Sequence, residues 1–250
     1  MKTYAVGDIH GRLDLLMLAL EKIEAHARGE VARLIFLGDY IDRGEESRAV
    51  VSVLKELEQS PNVHCLLGNH EEMMLVAIRG RDPRDLNRWI NSGGDETVRS
   101  YGGRGLGDLS DLDVLPEEHA AWFESLPTLI SDHNRIYVHA GLMPRVPAID
   151  QDDEIKLWIR ERFLRAKNLK AFPDGKHIVH GHTPQWKGKP DADQPELLDH
   201  RTNLDTGAYA TGALTVGVFD FERPGGPTEL LVARIQATHL DPTSPATLID

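Results

Sequence analysis

Gly38-Asp39-Tyr40-Ile41-Asp42-Arg43-Gly44 is the stretch from which the rest of the chain can be read. It follows the apolar run 34–37, which predicts a buried strand. Two carboxylates, a guanidinium and two glycines come directly after that strand. Acids at a buried strand end are costly unless something neutralises them. A divalent cation would do so, and Arg43 would supply a fork for an anion beside it. A charged turn closing a hairpin is the competing reading for this stretch alone. At roughly 5% per residue type, the pattern arises by chance on the order of once in ten thousand chains of this size. Four other strand-like runs end in the same kind of residue, which makes the hairpin reading the weaker one.

Working outward, residues 3–6 read as a short strand that runs into Gly7-Asp8-Ile9-His10-Gly11. Period-two alternation would put Asp8 and His10 on one face. Gly11 opens a predicted helix with Leu16, Leu20, Ile23 and Ala27 at helical spacing, stopped by Gly29. Ser47 is placed to cap a second helix bearing Val50, Val51, Leu54 and Leu57. A third strand over 63–67 leads into Gly68-Asn69-His70-Glu71, and residues 71–79 read as helix. Strand, helix, strand, helix, strand argues for a sheet with crossover helices and ligands at the strands' carboxyl ends.

Residues 80 to about 131 break that rhythm. They carry Asn91-Ser92-Gly93-Gly94, Tyr101-Gly102-Gly103 and a helix started by Pro116, and read as a helical, cap-like insertion. The β pattern returns at 135–138, ending in His139-Ala140-Gly141. One helix with Ile155, Trp158, Ile159 and Phe163 follows, then a strand over 177–179 ending in His180-Gly181-His182-Thr183-Pro184. Residues 186–201 read as a surface loop. Residues 202–204, 214–221 and 229–235 read as consecutive antiparallel strands, and the last dozen residues as a loose end.

With 250 residues, 40% of them hydrophobic, the chain can bury a sizeable core. A formal net charge of −12 argues against general affinity for nucleic-acid polymers or anionic membranes. The single cysteine, Cys65, allows no internal disulfide and reads as a buried thiol in a reducing compartment. No signal-peptide pattern precedes the first strand, and the apolar run 13–20 is too short to span a bilayer. A cytoplasmic protein is the expectation.

Asp8, His10, Asp39, Asn69, His139 and His182 all sit just after apolar runs. Oxygen and imidazole ligands without thiolates suit manganese, iron or zinc. One ion would take Asp8, His10 and Asp39, and a second Asn69, His139 and His182, with Asp39 between them. Two ions about 3.5–4 Å apart can activate a shared water and clamp a phosphoryl oxygen. Nearby arginines suit the charge that spreads over a phosphoryl transition state. His180 reads as a satisfied core histidine.

These motifs resemble those of the bacterial and phage-type phosphoprotein phosphatases, within the metallophosphoesterases. The resemblance is carried by Gly7–Gly11, Gly38–Gly44, Gly68–Glu71, His139-Ala140-Gly141 and Gly181-His182-Thr183. It extends to Trp158-Ile159-Arg160-Glu161-Arg162 and Asp205-Thr206-Gly207-Ala208. It implies one calcineurin-like α/β domain over 1–250, a four-layer α/β/β/α sandwich with two mixed β-sheets. The metals it implies are two divalent ions, manganese first, with iron or zinc possible. His70 would be the general acid, with Asp42 orienting it and holding its pKa up. Arg43, Arg160 and Asn69 would grip the phosphate, with Arg162 as the substitute for Arg160.

Pro184 stands where many wider metallophosphoesterases carry a second histidine, which leaves the first ion to Asp8, His10, Asp39 and water. Eukaryotic members add a tyrosine-bearing loop for which the sequence offers no match. The implied activity is release of phosphate from phosphoserine or phosphothreonine proteins by a metal-bound hydroxide. The alternative is a symmetrical diadenosine tetraphosphatase or a related nucleotide pyrophosphohydrolase. The partner is therefore a phosphorylated protein or a small phosphorylated substrate.

Overall fold

Along the first third of the chain, strands and helices alternate as the apolar periodicities predict: β1 (Lys2–Val6), α1 (Leu13–Ala27), β2 (Ala32–Phe36), α2 (Ser47–Leu57), β3 (Val63–Cys65) and α3 (Asn69–Gly80). There follow α4 (Pro83–Trp89), a wide π-type turn over Ile90–Gly94, α5 (Asp95–Ser100), α6 (Glu117–Ser125), β4 (Leu129–Ser131) and β5 (Arg135–Val138). Then come α7 (Asp153–Trp158), α8 (Glu161–Leu164), β6 (His177–His180), β7 (Glu196–Leu197), β8 (Arg201–Asn203), α9 (Ala208–Thr211), β9 (Ala213–Asp220) and β10 (Glu229–Arg234). This computed structural model describes residues 1–185 and 193–235. Residues 186–192 of the loop expected over 186–201, and the expected loose C-terminal end, lie outside the described residues.

Two mixed five-stranded sheets form, in the orders β10-β9-β1-β2-β3 and β4-β5-β6-β8-β7. Alternation decides the layers. β1 sends Ala5 and β2 sends Ile35 inward to meet Tyr137, Val179, Leu204 and Phe219 between the sheets. Tyr4, Val6 and Phe36 point the other way, onto Leu15, Leu16 and Ile23 of α1 and Val50, Val51 and Leu54 of α2. On the far side of the second sheet, Ile136, Val138 and Ile178 pack on Ile159, Phe163 and Phe172. The result is the expected α/β/β/α order. Leu86, Trp89, Val98, Leu112, Trp122 and Phe123, all from the stretch 80–131, join the outer core of the first sheet.

Several local expectations are corrected. α1 begins at Leu13 rather than at Gly11, and it ends where Arg28 turns left-handed at φ 50°. Ser47 does not cap α2; it is the helix's first residue, and its Oγ accepts the Asp42 N–H at 3.1 Å. The helix expected over 155–163 is two, broken because Ile159 is extended. The end of the insertion, Leu129–Ser131, is an edge strand, and so is Glu196–Leu197 in the expected loop. β8 is not an antiparallel neighbour of β9. It lies parallel to β6 in the second sheet, and the chain then crosses through α9 to reach the first. Cys65 is buried, as its apolar run predicts.

His177 gives this framework a measurable acid sensitivity. Its ring is buried, with Nε2 2.9 Å from Thr202 Oγ1, and burial lowers its pKa to about 4. An unfolded histidine titrates near 6.5, so between about pH 4 and 6.5 the unfolded chain holds the extra proton. The stability this group contributes is complete above that window and is lost on acidification. Urea unfolding from pH 7 to 4 should show His177→Gln losing less stability than the parent, by about 2–3 kcal/mol.

Candidate active site

The polar residues singled out above gather at one end of both sheets. β1, β2 and β3 run parallel, as do β5, β6 and β8, so their carboxyl ends face the same way. Asp8 and His10 follow β1, Asp39 to Arg43 follow β2, and Asn69 and His70 open α3. His139 follows β5 and His182 follows β6. His10, Asp39, Asp42, Arg43 and His182 have φ of 47°, 54°, 72°, 70° and 67°. Left-handed backbone at five residues with side chains is strain that the surroundings must hold in place.

Glu71 supplies part of that hold. Buried, it takes the N–H groups of Asp39 and Gly68 on Oε2, both at 3.0 Å. Oε1 takes those of Tyr40 at 2.8 Å and Ile41 at 3.2 Å. One carboxylate thus organises the turn that carries Asp39 and Asp42. Glu71→Gln turns an NH2 group onto two of these donors. It should cost about 2–4 kcal/mol in thermal or urea unfolding and weaken divalent-ion binding.

Asp39 joins two clusters. Its Oδ1 is 3.4 Å from His139 Nε2, and its Oδ2 is 3.6 Å from His10 Nε2 and 3.9 Å from His70 Nε2. Ligand-type atoms of His10, Asp39 and His70 lie within 4.8 Å of one another, as do those of Asp39, His139 and His182. Asn69 Oδ1 is 2.8 Å from both His139 Nε2 and His182 Nδ1. Asp8 stands beside the second cluster, taking the His182 N–H on Oδ2 at 3.0 Å. A Cβ on Gly181 would overlap Asp8 Oδ1, so this close approach requires glycine.

The donor set fits cations. His10 and His139 each give Nδ1–H to a carbonyl, of Ile41 and Leu37, both at 2.9 Å. Their Nε2 lone pairs are thereby turned into the site. Burial pushes His139 down to about 4, so its ring is neutral and its Nε2 lone pair faces Asn69 and Asp39 oxygens. Buried His182 Nε2 has no partner among the described residues. Burial also lifts Asp39 to about 7 and raises Asp8, with Asp205 and Asp39 adding repulsion at Asp8. Lone pairs and carboxylates facing one another across a few ångströms are what a divalent ion relieves.

Arg43 donates Nη1–H to His10 Nε2 at 2.9 Å and Nη2–H to His70 Nε2 at 3.0 Å, so it serves no salt bridge to Glu45 or Glu46. Arg160 lies at the break between α7 and α8 and donates to Thr183 Oγ1 at 3.1 Å. Its charge acts on Asp39, Asp205 and Asp8. Arg162 is exposed on α8 and takes no part in this network.

His70 Nδ1 is 2.6 Å from Asp42 Oδ2. Asp42, expected to orient His70 and hold its pKa up, thus meets the ring at Nδ1, where two effects oppose its charge. Burial, and then the Arg43 guanidinium, lower the His70 pKa well below its usual value, while burial raises Asp42. Asp42 is completely buried. It takes the Trp89 indole N–H at 3.0 Å from each oxygen and the Thr97 hydroxyl at 2.6 Å on Oδ1. His180 packs its ring edge on Phe163 at 4.9 Å and stays outside the site, as read from sequence.

Asp205 and Tyr209 were not picked out from the sequence as site residues. Asp205 is buried, lifted by burial to about 6, and in the field of Arg43 and Asp39. Its signal was available: it follows apolar Leu204 at a strand end, like the other acids. Tyr209 lies edge-on to His10 at 5.4 Å, with the Arg43 guanidinium 4.7 Å from its ring centre. A tyrosine therefore does stand over the site, on α9.

The calcineurin-like phosphoesterase family model matches residues 1–212, and the chain belongs to that family. It is 28% identical over 226 residues to serine/threonine-protein phosphatase 1 of Salmonella typhimurium, covering 85% of this chain and 89% of that protein. It is 26% identical over 264 residues to the symmetrical bis(5'-nucleosyl)-tetraphosphatase of Marinomonas, covering 86% and 92%. Among solved structures, a putative diadenosine tetraphosphatase aligns with a TM-score of 0.59 at 21% identity, covering 93% of each chain. Family and fold make the chain a phosphoester hydrolase with candidate metal-ligand groups.

Proposed function

We propose that the chain is a dinuclear-metal-dependent phosphatase that removes phosphate from phosphoserine or phosphothreonine in proteins. The observation that carries this reading is Asp39, which turns one oxygen to each imidazole cluster, with two arginines nearby. In this reading Asp8, His10 and Asp39 hold one ion, and Asn69, His139 and His182 hold the other with Asp39. When bound, the ions supply Lewis-acid activation of water and neutralise phosphoryl charge; manganese is our choice among manganese, iron and zinc. Residues 1–250 act as one domain in the cytoplasm, with about 80–131 as its cap. Among the described residues no helix is long and apolar enough to cross a membrane.

The chain's own groups do the rest. Arg43 transfers its two N–H groups from His10 and His70 to phosphoryl oxygens, its guanidinium kept over the Tyr209 ring. Arg160 and the Asn69 amide grip from other sides. Water's oxygen bonds to phosphorus as the bond to the serine oxygen breaks. One water proton stays on the phosphate and the other passes to solvent, from which His70 is later reprotonated. His70, with Nδ1–H tied to Asp42, gives its Nε2 proton to that departing oxygen. A substrate dianion draws Arg43 away from His70 and adds negative charge beside it. Both effects raise the His70 pKa when the acid is needed.

A symmetrical diadenosine tetraphosphatase is the second reading. It is favoured by exposed Arg88, which lies 4.8 Å from the centre of the Trp158 ring, itself 6.2 Å edge-on from His182. In that reading Arg88 is the further cation that a longer phosphate chain would meet. Manganese-loaded protein should be assayed on a phosphoserine peptide and on diadenosine tetraphosphate side by side. A kcat/KM about tenfold or more higher on the peptide supports the first reading, and the reverse order sinks it.

A further inference from the structure

Asp42 is a carboxylate whose surroundings are almost fully accounted for, and most of them come from the stretch between α3 and β4. Trp89, at the end of α4, spans both oxygens. Thr97, in α5, gives its hydroxyl to Oδ1 at 2.6 Å and takes the Asp42 backbone N–H at 2.8 Å. It also lies 3.0 Å from Ser47 Oγ. Trp89, Thr97 and Ser47 are completely buried. The turn between α4 and α5 docks on the same loop, where Gly93 accepts the Arg43 N–H at 2.9 Å. Gly93 has φ 103°, and a Cβ there would come within 2.7 Å of Arg43 Cγ. A Cβ on Gly94 would come within 2.6 Å of the Trp89 ring. Both glycines are needed for the turn to sit this close.

We propose that Trp89 and Thr97 are positioning residues for proton delivery to the leaving group. They fix the plane of the Asp42 carboxylate and, through it, the ring orientation and Nδ1–H tautomer of His70. The inference rests on the reading of His70 as the acid. A core role alone would require apolar volume at these positions. It would not require two donors aimed at one carboxylate whose remaining contact is the His70 ring. Losing the Thr97 hydroxyl leaves Asp42 Oδ1 short of a donor in a fully buried setting, so the carboxylate rotates in search of another.

The test separates leaving groups. A serine alkoxide needs the proton; p-nitrophenolate does not. Thr97→Val and Trp89→Phe should raise the ratio of p-nitrophenyl phosphate turnover to phosphoserine-peptide turnover about tenfold or more, and Thr97→Ser should restore it. His70→Asn is the control and should raise the same ratio further. If it does and the other two variants do not, the positioning role is overturned. If His70→Asn lowers both turnovers equally, the acid reading itself fails. A second readout is independent of activity. The downfield proton resonance of the short His70–Asp42 bond should move in Thr97→Val and return in Thr97→Ser. An unchanged resonance in Thr97→Val overturns the inference.

Discussion

Asp39→Asn should strip the protein of bound divalent ions and lower turnover by about 10³ or more. Among the described residues, Asp39 places one oxygen against each of the two imidazole clusters, at 3.4 Å and 3.6 Å. An amide keeps one neutral oxygen and turns an NH2 group toward whichever cluster it abandons. Asparagine tolerates the left-handed backbone at this position, φ 54°, so the fold should persist. Metal analysis of the purified variant, beside circular dichroism, checks both halves of the statement. A variant that keeps two ions per chain would remove Asp39 from the centre of the site.

His70→Asn carries the second large effect. Turnover of phosphoserine peptide should fall by about 10²–10⁴ while bound metal is kept. The distance of 3.9 Å between His70 Nε2 and Asp39 Oδ2 makes this a sharp test, because the same atom could serve as a ligand. Loss of one ion per chain in His70→Asn would move this residue from proton donor to ligand. Retention of metal with a selective loss on alkyl phosphates supports its place as the acid. The Asp42 partner at 2.6 Å occupies Nδ1, so either role falls to Nε2, which Arg43 meets at 3.0 Å and releases when it turns to phosphate.

The site was legible largely because each chemical residue follows an apolar run that becomes a strand. Asp8, Asp39, Asn69, His139 and His182 obey that rule, and the parallel strands bring them together. Asp205 obeys it too, but its strand was assigned to the wrong sheet. Strand β8 is short, and the strand that follows it in sequence, β9, is not its neighbour in space. Trp89 and Thr97 gave no such signal, since their work depends on a carboxylate some fifty positions earlier, the Thr97–Asp42 separation being 55. The break at Ile159 and Arg160 was hidden because helical spacing of apolar residues survives a one-residue extension. The edge strands β4 and β7, of three and two residues, are too short to show alternation.

The return of the chain to its first sheet has a consequence for truncation. Every residue assigned a part in the chemistry lies at or before Tyr209, and β9 begins at Ala213. Yet β9 flanks β1 on the side away from β2, and β10 lies beyond it. A polypeptide ending just short of β9 would possess the whole chemical inventory, with one shoulder of its innermost ribbon bare. Its exposed flank would invite other copies to pair there. The β9–β10 pair is the keystone, and the protein cannot be shortened to its working parts.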